Sequence, residues 1–503
     1  MADALLDDEA AMRAPGDPAT NDADTLEEAR EAYKLAYDTW SENFEAAKDD
    51  LRFARLSEQW DPADKQRRKD EGRPCLTINK LPSFIRQVAN DARLNKPSIK
   101  FHPVDSKADV ETAKIYDGLV RTIEYASNAD VAYDTAIESA IGGGFGYFRV
   151  GIDYAHDDTF DLDITIDAVP DPFRILGDPY STAADSSDWN SAFVTDVVPE
   201  KQFEADYPGA DKVNWDEYQD LPTPWYEDKT VLKVEWWTRS EITRPIVRLS
   251  NGDIVDAAWL EAVDPDSGAR RVDVFASVGI TVVAERDTKS WKVKQRILTG
   301  AEVLDTVEWP GKYIPIIPVY GDEVNIDGKR HFRSLIRDAK DPQRMFNAWR
   351  TIATELVALA PRVPFIGPTG AFKTDALKWS TINRVSHSHV GYDGNVAPQR
   401  QPLDSGPAAG ALQEALNASD DMKAIIGLYD ASLGARSNET SGKAIIARQR
   451  EGDVSTFHFQ DNLVRAIRHG GRVVGDLIPH VYSAARVVRV LGEDGSERPV
   501  QIN

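Results

Sequence analysis

Residues 334–360 read SLIRDAKDPQRMFNAWRTIATELVALA, a stretch with the features of one long helix. Asp341 can cap a helix, and Pro342 stands where a first-turn proline is tolerated. Pro361 ends the pattern, because proline is poorly accommodated inside a helix. Apolar residues recur in steps of three and four, as on one helical face, at Phe346, Trp349, Ile352, Ala353, Leu356 and Leu359.

Two more helices are predicted C-terminal to this one, at residues 408–433 and 454–482. Residues 361–406, between the first two helices, are rich in proline, glycine and serine and contain short β-like runs. A loop of glycine, serine and asparagine begins at Gly434 and leads to the third helix. The order of helix, compact insertion, helix, loop and helix is the most informative feature of the sequence.

Composition restricts the classes of protein that fit. A chain of 503 residues is too long for one core, so two or more domains are expected. No apolar run approaches the roughly 20 residues that span a bilayer, and the acidic N-terminus lacks the pattern of a signal peptide. Cys75 is the only cysteine, which excludes an intrachain disulfide and suits a reducing cytoplasm.

The formal net charge is −24, which argues against a protein that wraps nucleic acid by neutralising phosphates. It does not exclude a conduit for DNA, since an acidic wall repels a polyanion and keeps it from adhering. The simpler interpretation, that the charge keeps a large protein soluble, has equal weight.

The N-terminal region opens with a predicted disordered acidic tail, residues 1–24. Thr25 and Glu28 then form a capping box for a helix of about 30 residues. Its apolar positions indicate either a seam against another helix or simply a long amphipathic helix on its own domain. These positions are Tyr33, Tyr37, Trp40, Phe44, Ala47, Leu51 and Ala54.

Helices and strands alternate in the rest of this region, so the predicted fold class is α+β. Three further helices are expected at residues 73–97, 107–127 and 129–141, the last ended by three glycines. The runs 145–154 and 160–169 alternate in polarity and are predicted to pair antiparallel. Residues 231–320 are predicted to be mostly strands, with hairpins at Asn251-Gly252 and Thr299-Gly300 and an extended or edge segment, YIPIIPVYG. The end of the chain, RVVRVLGEDGSERPVQIN, is predicted to be a hairpin, and its stop inside a strand suggests a truncated or minimal C-terminus.

Two glycine-rich motifs do not meet the requirements of a nucleotide site. Gly442-Lys443 lacks the earlier glycine of a phosphate-binding loop, where Ser437 stands, and the following hydroxyl, where Ala444 stands. The cluster from Gly142 to Gly146 follows a helix and leads into a strand, the reverse of a dinucleotide-binding turn, and is better interpreted as a helix stop.

Metal and catalytic motifs are equally weak. His387 and His389 could face one side of a strand, but no cysteine or carboxylate cluster adjoins them, so a surface loop is favoured. Asp171 with Glu227, Asp228 and Lys229 faintly resembles a nuclease metal site, although the 56-residue gap is wide. The sequence therefore offers no convincing catalytic residue, metal site or cofactor site.

Cations cluster in one place. Arg436, Lys443, Arg448 and Arg450 surround the 434–452 loop. Asn438, Thr440 and Ser441 lie in the same loop, and small polar groups with isolated cations suit transient phosphate contact without base reading. A solvated interhelical loop explains the pattern equally well.

Several long runs together closely resemble portal proteins of short-tailed bacteriophages, the podovirus-type head-to-tail connectors. The similarity extends over almost everything from Arg73 to Asn503 and is weaker for residues 1–72. The runs that carry it are RPCLTINKLPSFIRQVANDARLNKP, GGGFGYFRVGIDY, RDAKDPQRMFNAWRTIATELVALAPRVPFIG, ETSGKAIIARQREG, FHFQDNLVRAIRHGGRVVGDLIPHVY and RVVRVLGEDGSERPVQIN.

The resemblance implies a ring, usually of twelve identical subunits, at one capsid vertex, with double-stranded DNA passing non-specifically through its channel. It implies docking of the terminase large subunit and later of head-completion or tail adaptor proteins, contact with major capsid and scaffolding proteins, assembly in the host cytoplasm, and no membrane or cofactor. By segment it implies a wing (25–332), a stem helix (333–360), a clip (361–406), a second stem helix (407–433), a tunnel loop (434–452), and a long helix with strands toward the crown (453–503). Relatives often continue into a helical C-terminal barrel, which this sequence lacks.

The resemblance also assigns roles to residues. The tunnel-loop residues expected to face DNA are Arg436, Asn438, Thr440, Ser441 and Lys443. The residues expected to pack stem helices within and between subunits are Phe346, Trp349, Leu356, Ile425 and Leu428.

Two alternatives remain open at this point. A phage DNA-processing nuclease would cleave linear DNA with magnesium or manganese and would lose that activity on Glu227→Ala. Another head–tail connector ring protein is also possible, although such adaptors are usually much shorter than 503 residues.

Overall fold

The computed structural model describes ten stretches of the chain: 22–102, 110–211, 226–227, 229–263, 268–359, 364–400, 406–428, 456–482, 486–492 and 497–502. Within them the fold combines helices with antiparallel sheets, so the predicted α+β class is confirmed. The helices are α1 (Asp22–Arg55), α2 (Pro62–Asp70), α3 (Leu81–Leu94), α4 (Val110–Ala126), α5 (Ala129–Gly143), α6 (Glu200–Asp206), α7 (Ala257–Glu261), α8 (Arg271–Ser277), α9 (Lys340–Leu359), α10 (Ala376–Thr381), α11 (Gly406–Ile426) and α12 (Phe457–Val481).

Two sheets form the β part of the N-terminal region. The larger has the order β3-β4-β6-β8-β9, with β5 and β7 also on β6, and the smaller has the order β10-β1-β2. Two-stranded pairs β11–β12, β13–β14 and β15–β16 complete the described strands. The strands are β1 (Phe145–Tyr154), β2 (Leu162–Ala168), β3 (Ile175–Leu176), β4 (Ser191–Pro199), β5 (Tyr226–Glu227), β6 (Thr230–Leu249), β7 (Ile254–Asp256), β8 (Val282–Leu298), β9 (Val303–Trp309), β10 (Ile316–Tyr320), β11 (Asp322–Ile326), β12 (Lys329–Arg333), β13 (Phe365–Ile366), β14 (Gln399–Arg400), β15 (Arg486–Leu491) and β16 (Glu497–Ile502).

The predicted strand pairings are confirmed. β1 and β2 pair antiparallel, β8 and β9 form the hairpin around Thr299-Gly300, and β6 and β7 form the one at Asn251-Gly252. β10 lies at the edge of its sheet, as its prolines require. The C-terminal hairpin β15–β16 is also present.

Two large apolar cores hold these elements together. One joins α3, α4, α5, the β1–β2 sheet, α12 and the N-terminal part of α9 to α11. The other packs α1 on strands of both sheets, with Trp40 stacked on Phe332 at 5.2 Å between ring centroids. The side chain of Trp40 also donates from Nε1 to the Gly177 carbonyl at 3.0 Å.

The seam residues of α1 therefore pack mainly on strands rather than on a helix. Tyr33 meets Phe193 of β4 edge to face, and Trp40 meets Phe145 of β1 in the same way. Near its C-terminal end α1 does approach a helix, since Leu51 lies where added Cβ atoms on Gly142 and Gly143 of α5 would fall. A seam against one helix is the wrong interpretation of most of this pattern, because flat sheet faces also accept an aromatic stripe.

Helix boundaries differ from prediction in two instructive places. α9 begins at Lys340, one residue before the predicted cap Asp341, because a 3₁₀ turn at Arg337–Ala339 leads directly into it. α11 ends at Ile426 rather than near 433, where Gly427 adopts a φ of +77°. A glycine in the left-handed region is the usual helix terminator.

Candidate functional site

The helix pair α9 and α11, which pack against each other, is the candidate functional site. Of the five predicted stem-packing residues, Phe346 and Leu428 are buried in the main core, and Trp349 packs on it half-buried. Leu356 is half-buried, whereas Ile425 is 48% exposed. The structure thus brings three of the five to one core and leaves Ile425 on the surface of the single chain.

α11 has two different apolar faces. Its buried face is made of small residues, which let α9 approach closely: Ala411, Ala415, Ala418, Ser419, Met422 and Ile426. Leu412, Leu416 and Ile425 lie exposed on the surface of the same helix. The sequence pattern placed the leucines on the packing face, which is wrong, because the alanine spacing of four and three carries the contact instead.

The start of α9 is fixed to α1 by buried charges. Asp50 of α1 is fully buried and accepts from Ser334 Oγ at 2.6 Å and from Arg337 Nε at 3.0 Å. Lys340 pairs with the other oxygen of Asp50 and also with Asp49. Sequence reasoning missed this network, because one aspartate of a charged helix gives no signal that it is buried.

The insertion between the two helices contains a small aromatic cluster. Trp379 packs edge to face against Phe365 and Phe372, and its Nε1 donates to the Gly391 carbonyl at 2.8 Å. Asp375 accepts from the Gly391 amide, and that hydrogen bond is the main cause of its lowered pKa. The insertion thus has a local organising centre that its low apolar content did not predict.

The predicted DNA-facing residues Arg436, Asn438, Thr440, Ser441 and Lys443 lie outside the described residues, as does Gly442. The cluster from Gly142 to Gly146 ends α5, with Gly144 at a φ of +100°, as predicted for a helix stop.

The weak chemical motifs form no metal centre. No group of three or more His, Cys, Asp or Glu in the described stretches could hold a metal ion. His387 Nε2 pairs with Thr381 Oγ1 at 3.0 Å, and His389 Nδ1 pairs with Ser388 Oγ at 3.2 Å. Asp171 caps a short 3₁₀ turn by accepting from the Phe173 amide.

His469 of α12 is a buried titratable group beside the larger core. Its ring meets Tyr313 edge to face at 5.5 Å, and Asp185, Arg472 and Arg239 are its nearest charged groups. Burial is the largest cause that lowers the pKa of His469, to about 4. Nδ1 has no hydrogen-bond partner within the described part of the chain.

Acidification is therefore expected to destabilise the fold through His469. Its folded pKa lies below the ordinary value of about 6.5, so the unfolded chain binds the proton more tightly, and stability falls as the pH drops from about 6.5 to about 4. The full loss is about 3 kcal/mol, with no contribution above pH 7. Urea unfolding at pH 7.5 and 5 should show a smaller pH dependence for His469→Leu than for the parent. An equal pH dependence in both proteins contradicts this assignment.

Among the described residues, every helix is too short or too polar to cross a membrane.

An α+β chain in which two packed helices flank a small insertion has the architecture of a viral portal protein. The family model described as Phage P22-like portal protein matches residues 30–503, and the chain belongs to this family. A portal protein of Acyrthosiphon pisum secondary endosymbiont phage 1 is 26% identical over 514 residues, covering 94% of this chain and 69% of that protein. The predicted resemblance to podovirus-type portals is confirmed, and with it a structural rather than enzymatic class of protein found in the phage virion.

Proposed function

We propose that copies of this chain form a closed ring, of twelve subunits, at one capsid vertex, through whose channel DNA is packaged and ejected. The exposed apolar residues of α11 are the observation that carries the proposal. A heterologous ring needs two unlike faces on each subunit. Leu412, Leu416 and Ile425 supply one of them, and Met345 and Val357, exposed on α9, supply apolar surface for the other.

In this proposal the segments take the roles that the family resemblance implies. Residues 25–332 form the wing, 333–360 and 407–433 the stem helices, 361–406 the clip, 434–452 the tunnel loop, and 453–503 the helix and strands toward the crown. The ring assembles in the host cytoplasm with scaffolding and major capsid proteins.

The clip is the proposed docking face for the terminase large subunit and later for head-completion or tail adaptor proteins. Its described part, residues 364–400, has four Lys or Arg residues against two aspartates, in a chain whose net charge is −24. Ile366, Leu377, Val385, Tyr392 and Val396 are all exposed there. Cations between exposed apolar side chains suit a polypeptide partner with acidic and apolar groups.

Charging the exposed face of α11 is expected to prevent ring formation. Leu412→Glu with Leu416→Glu places two carboxylates in the proposed subunit interface, where no cation is available to each, while the α9 contact is unaffected. Negative-stain microscopy and light scattering should show rings for the parent and only smaller species for the variant, with scaffolding and capsid proteins present.

Gln413→Glu with Asn417→Glu is the matched control, since both residues are exposed on α11 and adds the same charge. Rings that form normally from the double leucine variant would contradict the proposed interface. Particles of the parent without an axial opening, in the presence of capsid partners, would overturn the ring itself.

Arg436→Ala with Lys443→Ala is expected to leave ring formation intact and to reduce DNA packaging or retention. Both cations belong to the proposed tunnel loop, where phosphate contact is non-specific. Packaged DNA per particle is the measurement, with Arg384→Ala with Lys373→Ala in the clip as a control of equal charge change. Unchanged packaging would remove this loop as a DNA contact.

A further inference from the structure

An extended segment of the chain lies along α9 and is hydrogen-bonded to it at regular intervals. The amides of Leu76, Ile78 and Lys80 donate to Thr351 Oγ1 at 3.2 Å, Asn347 Oδ1 at 3.0 Å and Gln343 Oε1 at 3.2 Å. We call residues 73–80 the strap. Every second strap amide thus meets every fourth residue of the helix, and the two segments run in opposite directions.

This match has a simple geometric basis. Two residues of extended chain advance by about 6.6 Å, and four residues of α-helix advance by about 6.0 Å. The mismatch per step is below 1 Å, so three consecutive hydrogen bonds fit without distortion. Side chains at a spacing of four also share one helix face, so all three acceptors point to the strap.

The acceptors are buried and mutually braced. Gln343, Asn347 and Thr351 are at most 1% exposed. Gln343 Nε2 donates to the Ile78 carbonyl at 2.9 Å, and Asn347 Nδ2 donates to Gln59 Oε1 at 2.7 Å. A buried polar network with its partners in place specifies one arrangement, because any displacement leaves desolvated groups unpaired.

The same stripe ends in an ion-pair site. Glu355, the next residue at a spacing of four, pairs with Arg68 of α2 at 3.0 Å and with Arg73 of the strap at 2.7 Å. The stripe formed by Gln343, Asn347, Thr351 and Glu355 therefore fastens α9 to the N-terminal region over four turns.

The apolar face of α9 requires the same register. A shift by one four-residue period would pair the Lys80 amide with Asn347 and would bring Arg350 to the place of Phe346. Phe346 is buried in the main core, with Lys80 Nζ 4.2 Å from its ring centroid. A guanidinium in that place would lie against apolar side chains, so only the observed register satisfies both faces.

We propose that Gln343, Asn347 and Thr351 are positioning residues that clamp α9 in one axial register on the strap. The part of α9 up to Glu355 then moves with the N-terminal region as one body, and movement of this helix begins beyond Glu355. The consequence for the DNA channel rests on the proposed function, whereas the clamp itself is a property of the single chain.

Hydrogen exchange of the purified chain tests the clamp. Asn347→Leu keeps the size of the side chain and removes two hydrogen bonds, so the strap amides of Leu76, Ile78 and Lys80 should exchange at least tenfold faster. The α9 amides up to Glu355 should lose protection together with them. Thr351→Val removes one acceptor with almost no change of shape, and should accelerate the Leu76 amide if Asn347→Leu does not fold.

Asn417→Leu is the matched control, because Asn417 is exposed on α11 and pairs only with Gln413, at 3.1 Å, in the hydrogen bonds described. Parental exchange of the strap in the Asn347 and Thr351 variants, or equal acceleration in the control, would overturn the proposal. Rings and DNA packaging are measured separately, so faster strap exchange in a chain that forms no rings would support the clamp and contradict the proposed function.

Discussion

Gly146→Ala is expected to prevent the chain from reaching its folded state. An added Cβ would lie 2.1 Å from the Ala136 carbonyl oxygen and 2.9 Å from the Ser139 Cβ, both on α5. Gly146 cannot retreat easily, because its strand β1 pairs with β10 at Val319 and packs under the helix. Overpacking against backbone is at the severe end of such substitutions, at about 3 kcal/mol or more. Soluble yield and thermal unfolding of the purified protein measure the effect.

Gly410→Ala provides the comparison. Gly410 lies inside α11 with open space around the position of an added Cβ, so alanine should stabilise the helix by about 0.5–1 kcal/mol. The two substitutions add the same methyl group and should have opposite signs. A Gly146→Ala protein that unfolds within a few degrees of the parent would show that α5 can move away from β1.

The periodic elements could be predicted from the sequence because their signal is local. The alternation in β1 and β2, the hairpins at Asn251-Gly252 and Thr299-Gly300, and the apolar face of α9 each depend on neighbouring residues. The two faces of α11 were assigned wrongly, because large apolar residues were expected inside. Alanines allow the closest helix contact, so hydrophobicity alone misleads there.

The attachment of α9 could not be predicted, for a different reason. Gln343, Asn347 and Thr351 have the composition of a solvated helix face, and nothing near them in sequence reveals the strap about 270 residues earlier. Polar residues at a spacing of four are common on exposed faces. Their role depends on a long-range contact, which a single sequence does not encode locally. Of the candidate site, only the helices and their apolar face were therefore predictable.

Asp50→Asn is expected to lower the free energy of unfolding by about 3–5 kcal/mol, as for one partner removed from a buried ion pair. The substitution keeps the shape of the side chain and removes its charge. Lys340, only 8% exposed, and Arg337 then remain in a poorly solvated site without their buried carboxylate. Urea unfolding with a helix signal measures the loss, and faster hydrogen exchange in residues 337–344 locates it at the start of α9.

Asp49→Asn separates burial from charge, because Asp49 pairs with the same Lys340 ammonium while its side chain is 67% exposed. Solvent screens an exposed pair, so this neighbour should cost no more than about 1 kcal/mol. Both variants change the net charge equally, and a general effect of charge would make them alike. Similar losses for the two aspartates would mean that Lys340 reaches solvent when Asp50 is neutral. In that case the start of α9 would be fixed to α1 by apolar packing rather than by the buried pair.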